Sequence, residues 1–439
     1  MIPLPTIAFY TLGCKVNHYE TEAIYELFKN SGYERVDFEQ EADVYVINTC
    51  TVTHTSDKKS RNVIRRAIRK NPDAVVCVTG CYAQTKPNEI AEIEGVDIII
   101  GTNGRERIVD MVEEFIEERK PVTFVRDLFR DNPKFENIPV QSYESRTRAN
   151  LKIQEGCNKF CTFCIIPYAR GKMRSKPRES VIEEVQNLVN SGHLEVIFTG
   201  IHTGGYGTDL EDYDLADLIQ DVEKNVKGIK RLRISSIEMN QITDKMIDVM
   251  KNSKILAHHL HVPIQSGSDS VLARMNRKYT TTQYIEKMDY IKELFPDIAL
   301  TTDVIVGFPG ETEEEFNETV QFIKRVGFSE LHVFPYSRRT GTKAYDMPNQ
   351  VPNIVKSMRV NELISLSNEL AHQYVEKLHN KVIDVIFESI DDEGYLVGHS
   401  SNYVKVRAKG DETYLGKQAE VQLTDPDYPI ATGEIIGIS

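Results

Sequence analysis

No apolar run in this chain reaches the roughly 18 residues that a membrane-spanning helix needs. The first residues, Met1-Ile-Pro-Leu-Pro-Thr6, lack both the basic start and the apolar stretch of a secretory leader. The expected setting is therefore cytoplasmic, with no membrane partner. Cysteine is scarce: seven in 439 residues, and a reducing compartment excludes a disulfide framework. Metal binding or catalysis is the better use for them. Positive charge is in deficit, the formal net charge being −13, so any nucleic acid must be held by local basic patches rather than by the overall field. Internal repeats and low-complexity tracts are also missing. What remains is ordinary globular material, 40% hydrophobic and 27% charged. At about 150 residues per domain the chain has room for two or three domains.

From Thr6 to about Lys120, β-rich runs alternate with helical stretches. Thr6–Thr11, Asp43–Asn48, Ala74–Thr79 and Val96–Ile100 read as strands, and Tyr19–Ser31, Thr55–Lys70 and Arg107–Arg119 as helices. That alternation implies an α/β domain with a parallel sheet over residues 1–126. Residues 127–148 are polar, carry Pro133 and Pro139, and read as a linker. A second alternating region, 149–372, has strand candidates at Ala149–Gln154, Glu195–Thr199, Arg231–Ser235, His258–Val262, Ala299–Val306 and Glu330–Phe334. Six βα units are too few to close an eight-unit barrel, so an open, partial (βα)6 barrel is expected. Residues 373–439 carry short runs broken by turn residues and predict a small antiparallel all-β barrel.

The chemistry sits on two cysteine sets. Cys157-Asn-Lys-Phe-Cys161-Thr-Phe-Cys164 follows the first strand of the second region directly. Three thiolates this close can ligate a metal or a cluster and are one short of a closed tetrahedral site. Spacing alone leaves zinc open. Cys14, Cys50 and Cys81 are far apart in sequence, yet each follows a β-run, and in a parallel sheet such strand ends share one edge. They can therefore converge. Cys77 lies inside Val75–Val78 and reads as a buried core thiol.

The three-cysteine loop at this place in a partial barrel resembles the radical S-adenosylmethionine superfamily. That resemblance implies a 4Fe-4S cluster on Cys157, Cys161 and Cys164, whose open iron chelates S-adenosylmethionine. It also implies cofactor contacts from Phe163 and from the C-terminal ends of the strands: Gly200, Ser236, Glu238, Gln265, Asp303 and Gly307. Thr11-Leu-Gly-Cys14-Lys-Val-Asn17-His-Tyr-Glu20, Ile47-Asn-Thr-Cys50 and Thr79-Gly-Cys81-Tyr-Ala-Gln84, with Pro263-Ile-Gln-Ser-Gly-Ser-Asp269, resemble the methylthiotransferases over essentially the whole chain. The family implies a second 4Fe-4S cluster on Cys14, Cys50 and Cys81 and a TRAM-type barrel at the end. Gly13-Cys14-Lys-Val-Asn17 and Ile165-Ile-Pro-Tyr-Ala-Arg170-Gly-Lys-Met-Arg174-Ser175 look most like the branch that methylthiolates carbon 2 of threonylcarbamoyladenosine beside the tRNA anticodon.

The implied partners are tRNA carrying that nucleoside, an electron donor such as flavodoxin or ferredoxin, and a sulfur donor. The same chemistry on isopentenyladenosine tRNA or on a ribosomal-protein aspartate is the rival enzyme reading. A zinc-bearing RNA-binding protein without catalysis is the rival of another class. An aromatic C–H has no leaving group and no acidic proton, so no side chain is expected to act as general acid or base. Asn17 and Glu20 are expected beside the N-terminal cluster or as helix caps. For RNA the candidates are Lys58, Arg61, Arg65 and Arg69, a basic stripe at helical spacing. Arg170 and Arg174 belong to a basic run after the radical loop, and Lys405 and Arg407 lie near Tyr395, Tyr403 and Tyr414. A merely solvated helix face is the other reading of the first stripe.

Overall fold

A computed structural model of the chain describes residues 4–141, 143 and 147–438. Thr6–Thr11, Val44–Thr49, Val75–Gly80 and Ile98–Ile100 are neighbouring strands of one parallel sheet, in that order. Val44–Thr49 and Val75–Gly80 are buried at every residue, because helices cover both faces. Phe9, Ile24, Phe28, Val46 and Met111 pack on one face, with Cys77 fully buried among them. Tyr45, Ile47, Ile64, Val76 and Tyr82 pack on the other. The edge strands Glu34–Val36 and Val122–Phe124 are not visible in the sequence, since three residues are too few to show a period.

The stretch expected to be a linker is tied down. Ile138, Val140 and Tyr143 are buried in the core of the central region. Arg105, itself buried, bonds Glu136 at 2.7 Å, and Tyr19 donates to the Ile138 carbonyl at 3.0 Å. Polar composition hid three anchoring apolar side chains. Ser142 and residues 144–146 lie outside the described residues.

Six parallel strands follow: Arg148–Glu155, Glu195–Gly200, Arg231–Ile234, His259–His261, Ala299–Val306 and Glu330–Pro335. They form two hydrogen-bonded groups of three, joined by the bridge between Leu232 and Leu256. Among the described residues, the first and last strands do not pair with each other, so the barrel is open. Thr280 and Thr312 start helices Thr281–Leu294 and Glu313–Val326 with capping boxes. The helix Asn353–Glu376 closes over the last strand, where Ser367 Oγ accepts from the Leu331 amide at 2.9 Å.

Val382–Ile390, Leu396–Ser400, Lys405–Ala408, Gln418–Asp425 and Ala431–Ile438 close into a barrel. It is not wholly antiparallel: Lys405–Ala408 pairs with Ala431–Ile438 in parallel. With five strands an alternating up–down ring cannot close, so one parallel pair is unavoidable. This barrel docks under the central one through a buried charge cluster. Glu195 accepts from Arg231 at 2.9 Å and Arg233 at 2.7 Å. Arg231 reaches Asp384 at 2.6 Å, and Arg233 donates to the carbonyls of Ser400 and Ser401. No helix among the described residues is long and apolar enough to cross a membrane.

Candidate active site: two cysteine sets on one cavity

The radical loop is built to a tight tolerance. Gly156 has φ +76°, and a Cβ there would lie 2.0 Å from the Lys172 carbonyl oxygen. Only glycine lets the strand turn into the loop so close to the returning chain. The Cys157 amide donates to the Gly171 carbonyl at 3.0 Å, and the Thr162 amide to that of Met275 at 3.1 Å, pinning both ends. Cys157, Cys161 and Cys164 line a cavity of about 800 Å³. Burial pushes the Cys157 thiol up to about 11 and the Cys164 thiol up to about 12, and the neighbouring Cys161 charge adds to both. Arg277 Nη1 donates to Cys161 Sγ at 3.4 Å and is held by Glu238 at 2.9 Å. Three crowded thiols with a guanidinium on one sulfur are a donor set that a cationic cluster satisfies and that protons satisfy poorly.

Phe163, Gly200, Ser236, Glu238, Gln265 and Asp303 all line the same cavity. Gln265 is held at φ +74° by its backbone, donating to the Asp303 carbonyl at 2.9 Å and accepting from the Ile305 amide at 2.8 Å. Gly307 does not belong with them. Its φ is +71°, a Cβ there would sit 2.4 Å from Lys356 Cγ, and its amide donates to Glu311. Its positive φ serves the turn after the strand.

Cys14, Cys50 and Cys81 follow three adjacent strands of the N-terminal sheet and meet at its C-terminal edge. A Cβ on Gly13 would lie 3.2 Å from Cys50 Sγ. Cys14 is exposed and lines the cavity that holds the other set, whereas Cys50 and Cys81 are buried behind it. Burial raises Cys81 to about 12 against the pull of Arg170, and both neighbouring thiols raise it further. Arg170 Nε donates to Cys81 Sγ at 3.1 Å, and its Nη2 to Asn17 Oδ1 at 2.7 Å. Glu20 takes Arg170 at 2.5 Å, Arg105 at 2.7 Å and Lys152 at 2.9 Å. Burial would raise the Glu20 carboxyl, but these three cations hold it well below the usual range. Asn17 also donates to the carbonyls of Leu12 and Thr49. Neither Asn17 nor Glu20 caps a helix. This donor set, too, suits a cationic cluster: three converging thiols with a charged N–H on one of them.

Two RNA candidates fail on position. Arg170 is fully buried, and Arg174, 7% exposed, donates to the carbonyls of Arg170 and Lys172. Within the basic run after the loop, Arg170 and Lys176 face inward onto the carboxylates Glu20, Glu155 and Glu184, whereas Lys172 and Arg178 are exposed. On the helix His54–Lys70, Lys58, Arg65 and Arg69 are exposed, but Arg61 is drawn to the Tyr82 hydroxyl at 2.8 Å. Lys405 is exposed, while Arg407 pairs with Glu393 at 3.3 Å and stacks on Tyr395. Tyr403 turns inward instead, stacking on His259 with centroids 4.9 Å apart. Sequence reasoning missed Arg277 and the histidines of the cavity wall, and it placed Tyr403 on an RNA face rather than in the cavity. The signal was period-two alternation: His259 and His261, Thr301 and Asp303, Glu330 and His332 fall on the inward face of successive strands.

The comparisons with known proteins agree with this layout. Residues 151–323 match the Radical SAM superfamily, and residues 6–101 match "Uncharacterized protein family UPF0004". Among solved structures, the radical S-adenosylmethionine methyltransferase TsrM from Kitasatospora setae superposes with a TM-score of 0.57 at 14% identity. The match covers 75% of this chain and 72% of that one, which speaks to the fold alone. The site and the barrel are thus those of a radical S-adenosylmethionine enzyme, a class that carries S-adenosylmethionine and a 4Fe-4S cluster. A Bacillus subtilis protein named threonylcarbamoyladenosine tRNA methylthiotransferase MtaB is 54% identical over 99% of this chain and 97% of its own length. Its namesake from Aquifex aeolicus is 39% identical over 92% and 97%. A Thermoanaerobacter protein named tRNA-2-methylthio-N(6)-dimethylallyladenosine synthase is 34% identical over 98% and 92%. The chain belongs to the radical S-adenosylmethionine methylthiotransferase family.

Proposed function

We propose that this protein works in the cytoplasm and replaces the hydrogen on carbon 2 of N6-threonylcarbamoyladenosine, beside the anticodon of a tRNA, with a methylthio group. One observation carries the reading: Cys14 and the trio Cys157, Cys161 and Cys164 open on the same cavity, so one nucleoside can lie between them. Cys157, Cys161 and Cys164 would hold one 4Fe-4S cluster, and Cys14, Cys50 and Cys81 a second. Bound there, the clusters and S-adenosylmethionine would supply one-electron cleavage of a carbon–sulfur bond and a sulfur for transfer. Phe163, Gly200, Ser236, Glu238 and Gln265 position S-adenosylmethionine. Arg277 and Arg170 steady one thiolate in each set. Lys58, Arg65, Arg69 and Lys405 face phosphates. Residues 1–126 are the N-terminal methylthiotransferase domain, 127–148 the strap, 149–372 the radical barrel and 373–439 the TRAM-type barrel. A flavodoxin or ferredoxin supplies electrons, and a separate donor supplies sulfur.

The name of the two MtaB relatives supports the threonylcarbamoyl substrate, and so does the cavity itself. Five of the chain's eleven histidines line it, with Lys15, Arg233 and Asp303. An isopentenyl group would desolvate those polar side chains without pairing them. Mass spectrometry of tRNA nucleosides after anaerobic turnover tests the proposal. Methylthio-threonylcarbamoyladenosine is the expected product; methylthio-isopentenyladenosine in its place would reject it.

A further inference from the structure

The cavity wall formed by the last three barrel strands carries chemistry that neither cysteine set uses. Asp303 Oδ1 lies 3.2 Å from His261 Nε2 and 3.3 Å from His332 Nδ1. The two rings stack with centroids 5.2 Å apart. His261 also meets Thr301 Oγ1 at 2.9 Å through Nδ1, so both its nitrogens are engaged. His332 differs. Its side chain is 48% exposed on the cavity it lines, and its bond to Asp303 uses only Nδ1. Burial would raise the Asp303 carboxyl, but the two histidines hold it far below the usual carboxylate range. The hydrogen bond that His332 donates to Asp303 in turn raises His332 above its ordinary value, which favours a charged ring with Nε2–H left to donate. Lys15, exposed at the start of the helix Lys15–Asn30, lines the same cavity and adds a second positive charge.

We propose that His332, oriented by Asp303 and helped by Lys15, binds the carboxylate of the threonyl group and so selects the substrate; this rests on the reading of the substrate given above. A carboxylate gains a charge-assisted hydrogen bond and a nearby ammonium there, whereas an isopentenyl group offers neither partner. S-adenosylmethionine also bears a carboxylate. The cysteine loop follows the first strand of the open barrel and His332 sits on the last, so the two lie on opposite edges.

The test uses the reconstituted holoenzyme and three anticodon stem-loops: one with threonylcarbamoyladenosine, one with its threonyl carboxylate converted to the amide, and one with plain adenosine. Fluorescence anisotropy without reductant gives each Kd, and equilibrium dialysis gives that of S-adenosylmethionine. The protein is expected to prefer the carboxylate over the amide by about tenfold or more, the worth of one charge-assisted hydrogen bond. His332→Ala brings that ratio close to one and leaves binding of plain adenosine and S-adenosylmethionine unchanged, and His332→Arg restores it. A ratio that survives His332→Ala overturns the inference. So does a variant that loses S-adenosylmethionine instead, which would give the cluster to the cofactor's carboxylate. If the wild-type protein forms no methylthio-threonylcarbamoyl product, the substrate reading fails; if it forms the product and the ratio survives, only the role of His332 fails.

Discussion

Replacing Arg170 with glutamine removes a fully buried cation that lies on a sulfur of the N-terminal cysteine set. Arg170 ends the short helix Ile166–Arg170 directly behind the radical loop, and its guanidinium lies on Cys81 Sγ at 3.1 Å. It is fully buried and also bonds Glu20 at 2.5 Å, Asn17 at 2.7 Å and Glu155 at 3.3 Å. Breaking a buried ion pair from one side costs about 3–5 kcal/mol. Glu20 keeps Arg105 at 2.7 Å and Lys152 at 2.9 Å, and Glu155 keeps Lys152, so the lower end, about 3 kcal/mol, is expected. The electronic effect is separate. With the proposed second cluster bound, losing a charged N–H from Cys81 Sγ should make that cluster harder to reduce, by a shift on the order of tens of millivolts. Anaerobic denaturant titration reads the first effect. A redox titration followed by electron paramagnetic resonance reads the second, in a background of Cys157→Ala, Cys161→Ala and Cys164→Ala so that only one cluster is present. Arg170→Lys should recover most of the stability and only part of the potential. Unchanged stability and unchanged potential in Arg170→Gln would refute the reasoning.

Other variants test separate links. Gly156→Ala should abolish the cluster of the radical loop and spare the other, halving the iron content, because the new Cβ would meet the Lys172 carbonyl at 2.0 Å; full iron content would contradict the tight turn. Cys77→Ala should keep all the iron and lose about 1 kcal/mol of stability, since the thiol is buried in the apolar core; iron loss would make it a ligand. Glu195 is raised by burial but pulled by Arg233 and Arg231 from 4.5 to about 2. A depressed carboxyl contributes stability that is complete above its unfolded value and lost as pH falls through the folded one. Thermal stability should therefore fall between about pH 4.5 and 2, and Glu195→Gln should be less stable near neutrality with a shallower decline over that window; parallel curves would contradict it.

The longer strands of the two α/β regions were legible as β-branched runs alternating with helices, several of which carry their own start signal. Thr280 and Thr312 announce their helices, and Val44–Thr49 is apolar enough to be a covered strand. Cys14, Cys50 and Cys81 were legible as a set for a topological reason: parallel neighbours end on one edge. Arg170 was not. Charge in sequence says nothing of direction, and an arginine beside a site reads as a phosphate contact until its carboxylate partners, Glu20 and Glu155, are placed in space. Leu396–Ser400 and Ala431–Ile438 were hard to read because Gly398, Gly433 and Gly437 interrupt them, and the first two answer barrel packing rather than strand propensity. His332 escaped because one inward histidine acquires meaning only when His261 and Asp303 arrive from two other strands.

The claim on which the rest depends is that two separate trios of thiols each hold a four-iron cluster on one cavity. Iron and acid-labile sulfide, counted after anaerobic reconstitution, test it most directly. The wild-type protein should bind about eight irons, and either triple variant, Cys14/Cys50/Cys81→Ala or Cys157/Cys161/Cys164→Ala, about four. A wild-type protein with four irons or with zinc, or a triple variant that keeps all eight, would contradict it.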